Sequence, residues 1–270
     1  MQLQVRGDSA RGERQASVQA VSICLLGSFQ VLGNGRPIVL RGGGKAEALL
    51  SLLALRPRHG LTRERLIEAL WPDANATLAG QSLNTLVYSL HRTLGAALDG
   101  APPIIAGGGW YQLNVDAGVG VDLTRFEELA SAGDRLLREG DLDAAATAYQ
   151  QAVELYRGDL CGGTDVHSLV ERERVRARYL NVLGHVADYH FADRDYDACL
   201  AAVLPLLAVD ACREDAHRLA MRCYARRGER AQALRQYRLC EAILASEFEA
   251  APEPATQALF EQVRREPECV

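Results

Sequence analysis

No segment of the 270-residue chain approaches the roughly 18 uninterrupted apolar residues of a membrane span, and the first 19 residues lack the apolar run of a secretory leader. The expectation is a cytoplasmic protein with no membrane contact. A disulfide framework is missing as well. The seven cysteines are odd in number and scattered at Cys24, Cys161, Cys199, Cys212, Cys223, Cys240 and Cys269. They read as free thiols, and Cys199, Cys223 and Cys240 fall in helical patterns where a small apolar side chain packs well. Metal-ligand spacing is absent: Cys212 and His217 stand five apart, Cys161 and His167 six apart, and no second pair completes a tetrahedral set. Gly42-Gly43-Gly44-Lys45 has the look of a phosphate loop, but its first glycine is wrongly spaced and Ala46 stands where Ser or Thr would hold magnesium. Spacing singles out no nucleophile with its base and no carboxylate pair. Glu127-Glu128 and Glu171-Arg172-Glu173-Arg174 read as solvated helix faces. The sequence therefore predicts no enzyme, no metal and no cofactor.

What is present is enough apolar residue, 48%, to give two domains a core each. The net charge of -5 divides unevenly. Residues 1–115 carry 11 Lys and Arg against 7 Asp and Glu, a balance of +4, while residues 116–270 carry 19 against 28, a balance of -9. A mildly basic first half suits phosphate, and an acidic second half suits protein or solvent.

Residues 1–19 are polar and aperiodic and read as a disordered tail. Strand alternation begins at Val21, Ile23 and Leu25, and Gly33-Asn34-Gly35 supplies a tight turn between Phe29 and Val31 on one side and Ile38 and Leu40 on the other. Ala46, Leu49, Leu50, Leu53 and Ala54 form a helical stripe stopped by Pro57. Thr62 is placed to cap a second helix burying Leu66, Ile67, Leu70 and Trp71. A third helix is predicted over Ala79–Leu94, burying Leu83, Leu86, Val87, Leu90 and Leu94, with Gly95 as its cap. Ile104-Ile105, Gly107-Gly108-Gly109 and Trp110 to Leu113 then make a glycine-tipped hairpin. Sheet, three helices and hairpin amount to a winged helix over 20–116. From Val121 strand signals vanish. Gly140-Asp141, Arg194-Asp195 and Gly228-Glu229 each mark a helix turn followed by small residues, and the last two are 34 residues apart, the tetratricopeptide period. The fold class expected is mainly α: a winged helix-turn-helix followed, over 121–266, by an all-α tetratricopeptide-like domain.

The polar side of the third helix is the candidate site. Amide and hydroxyl side chains at Gln81, Asn84, Thr85 and Tyr88 suit base edges in a major groove, and Arg41, Lys45, Arg63, Ser89, His91 and Arg92 suit phosphate. Gly107, Gly108 and Gly109 form the wing. The plain alternative is a solvated amphipathic helix, with each arginine an ordinary surface charge. Position within the winged-helix order favours double-stranded DNA.

These residues carry a likeness. Gly44-Lys45 with its leucine helix, Leu70-Trp71-Pro72-Asp73, Ser82-Leu83-Asn84 through Arg92-Thr93-Leu94-Gly95 and Trp110-Tyr111-Gln112-Leu113 resemble the OmpR-type winged helix of the Streptomyces antibiotic regulatory protein (SARP) family. Val121 to Phe126, Leu155 to Leu160, Glu171 to Arg174, Glu214 to Arg218, Ala233 to Tyr237 and Pro252 to Thr256 resemble its bacterial transcriptional activator domain. The resemblance implies a transcription activator that binds repeated promoter elements, singly or as a homodimer, and helps recruit RNA polymerase. It also implies the minimal two-domain form, without the ATPase domain of larger members. Ser89 and His91 stand where the family usually has positive charge, which implies weaker non-specific affinity and leaves an alternative open: a protein-interaction adaptor with weak or lost DNA binding.

Overall fold

The computed structural model of the chain describes residues 19–41, 43–162 and 166–266, without the side chains of 166 and 167. The expected tail, apart from Gln19, lies outside these residues, as do Gly42 and Cys269. Contacts divide the chain into two compact units. One holds the strand region up to Cys24 and then Phe29–Val121, and the other holds Leu25–Ser28 with everything from Asp122 onward.

In chain order the first unit runs β1 (Val21–Cys24), β2 (Gln30–Gly33), β3 (Arg36–Pro37), α1 (Gly43–Ala54), β4 (Leu61–Thr62), α2 (Arg63–Leu70), α3 (Ala76–Leu94), a 3-10 turn (Gly95–Leu98), β5 (Ile104–Gly107), β6 (Trp110–Leu113), a second 3-10 turn (Val115–Ala117) and β7 (Val119–Val121). The strands make two sheets, ordered β3-β2-β1-β7 and β4-β6-β5. The β2–β3 turn falls where the sequence places it: Asn34 and Gly35 both have positive φ, 48° and 78°, the mirror-image turn whose twist matches its strands. β3 is shorter than expected. Pro37 has no N–H for a further neighbour, so β3 stays an edge, and beyond it only Ile38 N–H returns to the Val31 carbonyl, at 2.8 Å. β1 also stops early, at Cys24. β7, which the alternation does not signal, lies parallel to β1 with Val121 opposite Ile23.

The helices bury the stripes read from the sequence. α1 buries Ala46, Leu49, Leu50, Leu53 and Ala54. α2 buries Leu66 and Leu70, while Ile67 and Trp71 are half-buried; the Thr62 hydroxyl accepts the Arg65 N–H at 3.3 Å as its cap. α3 buries Leu83, Leu86, Leu90 and Leu94, while Val87, expected with them, is half-buried. Gly95 is not a left-handed cap. It is helical, at φ -59°, the chain continues into the 3-10 turn, and the reversal falls on Asp99 and Gly100 at φ 51° and 87°.

The second unit is helical: α4 (Asp122–Glu139), α5 (Leu142–Leu155), α6 (Val166–Ala192), α7 (Tyr196–Val209), α8 (Glu214–Arg226), α9 (Arg230–Phe248) and α10 (Pro254–Arg265). α4 packs on α5, α6 on α7, α8 on α9, and α5 meets α6 as α7 meets α8. The three turn signals sit inside these pairs. Gly140, Arg194 and Gly228 all have positive φ, and Asp141 and Asp195 accept the N–H groups of Ala144 and Ala198 as helix caps; Glu229 makes no side-chain cap. The winged helix followed by a helical repeat is thus the architecture the chain adopts.

Polar groups inside this unit are matched. Asp122 accepts three backbone N–H groups, from Leu25 (2.8 Å), Leu26 (3.0 Å) and Leu123 (2.7 Å), yet burial outweighs them and pushes its carboxyl up. Arg176 grips Asp159 and, with a weaker pull from the Tyr156 hydroxyl, holds its carboxyl below the usual carboxylate range. Burial works against charge on Asp134, but Arg178 at 2.5 Å and the Tyr149 hydroxyl at 2.8 Å prevail and lower it too. His217 is a satisfied core side chain: Nε2 donates to the Ala211 carbonyl at 2.9 Å, and Nδ1 accepts from Gln236 at 2.7 Å. The described cysteines form no disulfide. Among the described residues no helix is long and apolar enough to cross a membrane, and no group of three candidate ligands could hold a metal.

Candidate nucleic-acid interface

α3 is capped by Asn75, whose side chain accepts the Thr77 N–H at 2.9 Å, and its 19 residues extend for about 28 Å at 1.5 Å each. Ala79, Gly80, Leu83, Leu86, Leu90 and Leu94 face the core, so the angular period of the helix leaves Gln81, Asn84, Thr85, Tyr88 and Arg92 exposed. Tyr88 is 63% exposed. A helix of this diameter with amide, hydroxyl and guanidinium groups on one side has the dimensions and donors for a major groove about 12 Å wide.

The wing is held to this helix through the start of α2. β4 pairs with β6, Thr62 opposite Trp110, and the Arg63 N–H donates to the Gly109 carbonyl at 2.8 Å. At the tip, Gly108 and Gly109 have φ of 58° and 80°, while a Cβ on either would meet nothing within 4 Å. Glycine is needed there for its backbone, not for room. Gly107, Gly108 and Gly109 are all exposed.

The expected phosphate ligands separate into two groups. Arg41 and Arg92 are exposed and line one groove of about 460 Å³ together with Val39, Thr85, Tyr88, Ser89 and Thr93. Val39, which the sequence does not single out, is 88% exposed on its rim. The others are engaged within the protein, although Lys45 is exposed and Ser89 also lines that groove. Lys45 donates to the Leu70 carbonyl at the end of α2 and lies 5.8 Å over the Trp71 ring, a favourable place for a cation at a helix C-terminus. Arg63 Nη1 donates to Asn84 Oδ1 at 3.1 Å and to the Tyr111 hydroxyl at 3.0 Å. His91 is half-buried, its Nε2 3.3 Å from the Gly100 carbonyl, and Ser89 is half-buried beside Thr93, whose hydroxyl donates to its carbonyl. Thr85 donates its own hydroxyl to the Gln81 carbonyl at 3.0 Å. The Arg63–Asn84–Tyr111 cluster has no sequence signature, because its members lie 21 and 27 residues apart on three different elements.

Comparison with known proteins gives these features a family. The bacterial transcriptional activator domain matches residues 121–264. The Regulatory protein AfsR of Streptomyces coelicolor is 26% identical over 245 residues, 90% of this chain, and the chain spans 24% of that protein's length. The Transcriptional regulatory protein MoaR1 of Mycobacterium tuberculosis is 24% identical over 92% of this chain and 80% of its own. The Regulatory protein DnrI of Streptomyces peucetius is 32% identical over 46% of this chain and 47% of its own. Among solved structures, Mycobacterium tuberculosis EmbR, in complex with a low-affinity phosphopeptide, superposes with a TM-score of 0.70 at 24% identity, covering 91% of this chain and 65% of that one. The likeness to SARP-type regulators that the motifs carry is borne out. With its second unit matched nearly end to end, the chain belongs to the bacterial transcriptional activator domain family.

Proposed function

We propose that the chain is a transcription activator that reads double-stranded promoter DNA with the exposed side of α3. The observation that supports this reading is that one unit exposes amide, hydroxyl and guanidinium groups of the kinds that read bases and neutralise phosphate: Gln81, Asn84, Thr85 and Tyr88 along the helix, with Arg41 and Arg92 on a groove beside Thr85 and Tyr88. Residues 20–116 are the DNA-binding domain. Residues 121–266 are the activator domain, and engagement of RNA polymerase and of a second copy of the chain on repeated elements is what the resemblance to the SARP family implies for it. The role is regulatory rather than catalytic, and the chromosome places it in the cytoplasm.

A mobility shift of the full chain against its own upstream region tests the reading. Wild type is expected to discriminate this fragment from unrelated duplex, and a Gln81→Ala, Asn84→Ala, Arg92→Ala triple variant is expected to lose the discrimination. The adaptor alternative has one observation in its favour, the half-buried Ser89 and His91 that add no outward charge to α3. No salt-sensitive binding to any genomic fragment, with a protein partner recovered instead, would establish it.

A further inference from the structure

We propose that Asn84 reads its base as a hydrogen-bond donor only, because Arg63 and Tyr111 hold its side-chain oxygen, and that it therefore selects guanine or thymine over adenine. The inference rests on the duplex-reading function above and names its specificity.

The orientation of the Asn84 amide follows from its partner. Arginine has only N–H donors, so the atom that faces Arg63 Nη1 at 3.1 Å is the carbonyl oxygen. The Tyr111 hydroxyl accepts from the same Nη1 at 3.0 Å and directs its proton to the same Oδ1, at 3.5 Å. Both donors thus face that oxygen, the guanidinium closely and the hydroxyl at the long end of hydrogen-bond distance. Tyr111 is buried, which fixes its hydroxyl. Arg63 lies across Gly80, where a Cβ would come within 2.5 Å of Nη2, so the absence of a side chain on this turn of α3 is what lets the guanidinium reach Asn84. The Nδ2 protons have no partner among the described residues and remain for a ligand.

An asparagine that specifies adenine does so with both ends of its amide: the oxygen accepts from N6 and the nitrogen donates to N7. With the oxygen engaged, that pairing is withdrawn. Donation alone is best met by the paired acceptors of guanine, N7 and O6, or by thymine O4. The neighbours complete a pattern. The Thr85 hydroxyl donates its proton to the Gln81 carbonyl and so offers a base only its lone pairs and methyl group. The Gln81 side-chain amide has no partner among the described residues and offers both ends.

The test is selection of binding sites from a random duplex pool by the full chain, in parallel with Asn84→Ala, Arg63→Met and Tyr111→Phe. The base pair whose preference Asn84→Ala relaxes is the one Asn84 reads. In wild type it is expected to present guanine or thymine. Arg63→Met, and to a smaller degree Tyr111→Phe, is expected to release Oδ1 and move the preference toward adenine by on the order of tenfold. Tyr111→Phe leaves the Arg63 contact in place and so reports only the weaker hold; should Arg63→Met unfold, the base preferred by wild type decides the matter. Adenine at this position in wild type, or an unchanged preference in a folded Arg63→Met variant, overturns the inference and leaves the regulator reading standing. A pool enriched for nothing overturns both.

Discussion

The separation of the cations into Arg41 and Arg92 on one side and Lys45 on the other predicts which of them DNA affinity should feel. Each phosphate neutralised contributes about 0.9 to the slope of log affinity against log salt, so a fourfold rise in salt should weaken binding about 3.5-fold per contact. Arg41→Ala and Arg92→Ala should each flatten the slope by about 0.9, and the double variant by about 1.8. Lys45 donates into the Leu70 carbonyl, so Lys45→Met should leave the slope alone and instead destabilise the unit by about 1 kcal/mol, the usual worth of such a bond at a helix C-terminus. Fluorescence anisotropy with a labelled duplex, titrated between 50 and 400 mM salt (a span set by the sensitivity of about 6–10 such contacts), reads the slopes, and urea unfolding reads the stability. A Lys45→Met slope lowered as much as that of Arg92→Ala would refute the assignment, since it would mean that the ammonium leaves α2 for phosphate.

Other expectations concern the helical unit. Asp122→Asn puts an N–H₂ opposite the N–H of Leu25 or Leu26 and should cost about 1–3 kcal/mol in urea unfolding. The carboxyls of Asp134 and Asp159 are depressed, so their contribution is present above the ordinary carboxylate value near pH 3.9 and lost as pH falls through the folded-state values; Asp122, which is raised, acts in the opposite sense. Asp159→Asn should therefore flatten the acid limb of a stability–pH profile, and Asp122→Asn should not. Arg194 occupies at φ 65° the position that glycine holds in the other two turns, and Arg194→Gly should raise stability by up to about 1 kcal/mol, seen as a higher melting temperature. Glu229→Asp supplies the cap that Asp141 and Asp195 make, for about 0.5–1 kcal/mol in the same assay.

How legible each feature is in the sequence follows from the range of the forces that set it. α1 and α3 are readable because an apolar stripe repeating every 3.6 residues is imposed by burial along one element, and the turns at Asn34-Gly35, Gly140 and Gly228 because positive φ selects residue type locally. β7 is not readable: Val119-Gly120-Val121 is too short to alternate, and it is a strand only because β1 lies beside it. Gly95 misleads for a related reason. Glycine permits a left-handed end without requiring one, and a Cβ at that position would meet the His91 ring at 3.2 Å, so close packing is the use made of it.

The destinations of the charged side chains are the least legible, and here the difference bears on function. A balance of +4 over the first 115 residues suggests a broad basic field. Lys45 and Arg63 direct their donors to groups 25 and 21 residues away, and that depends on tertiary neighbours no spacing encodes. A cation already bonded inside the protein still adds to the long-range field that draws the duplex in, but it has fewer protons to give a phosphate on arrival. If this surface binds duplex as proposed, affinity should lean on Arg41 and Arg92 together with the α3 amides and hydroxyls, whose contacts are insensitive to salt. Discrimination between sites should therefore survive at ionic strengths where non-specific binding has faded, and the ratio of the two should rise with salt.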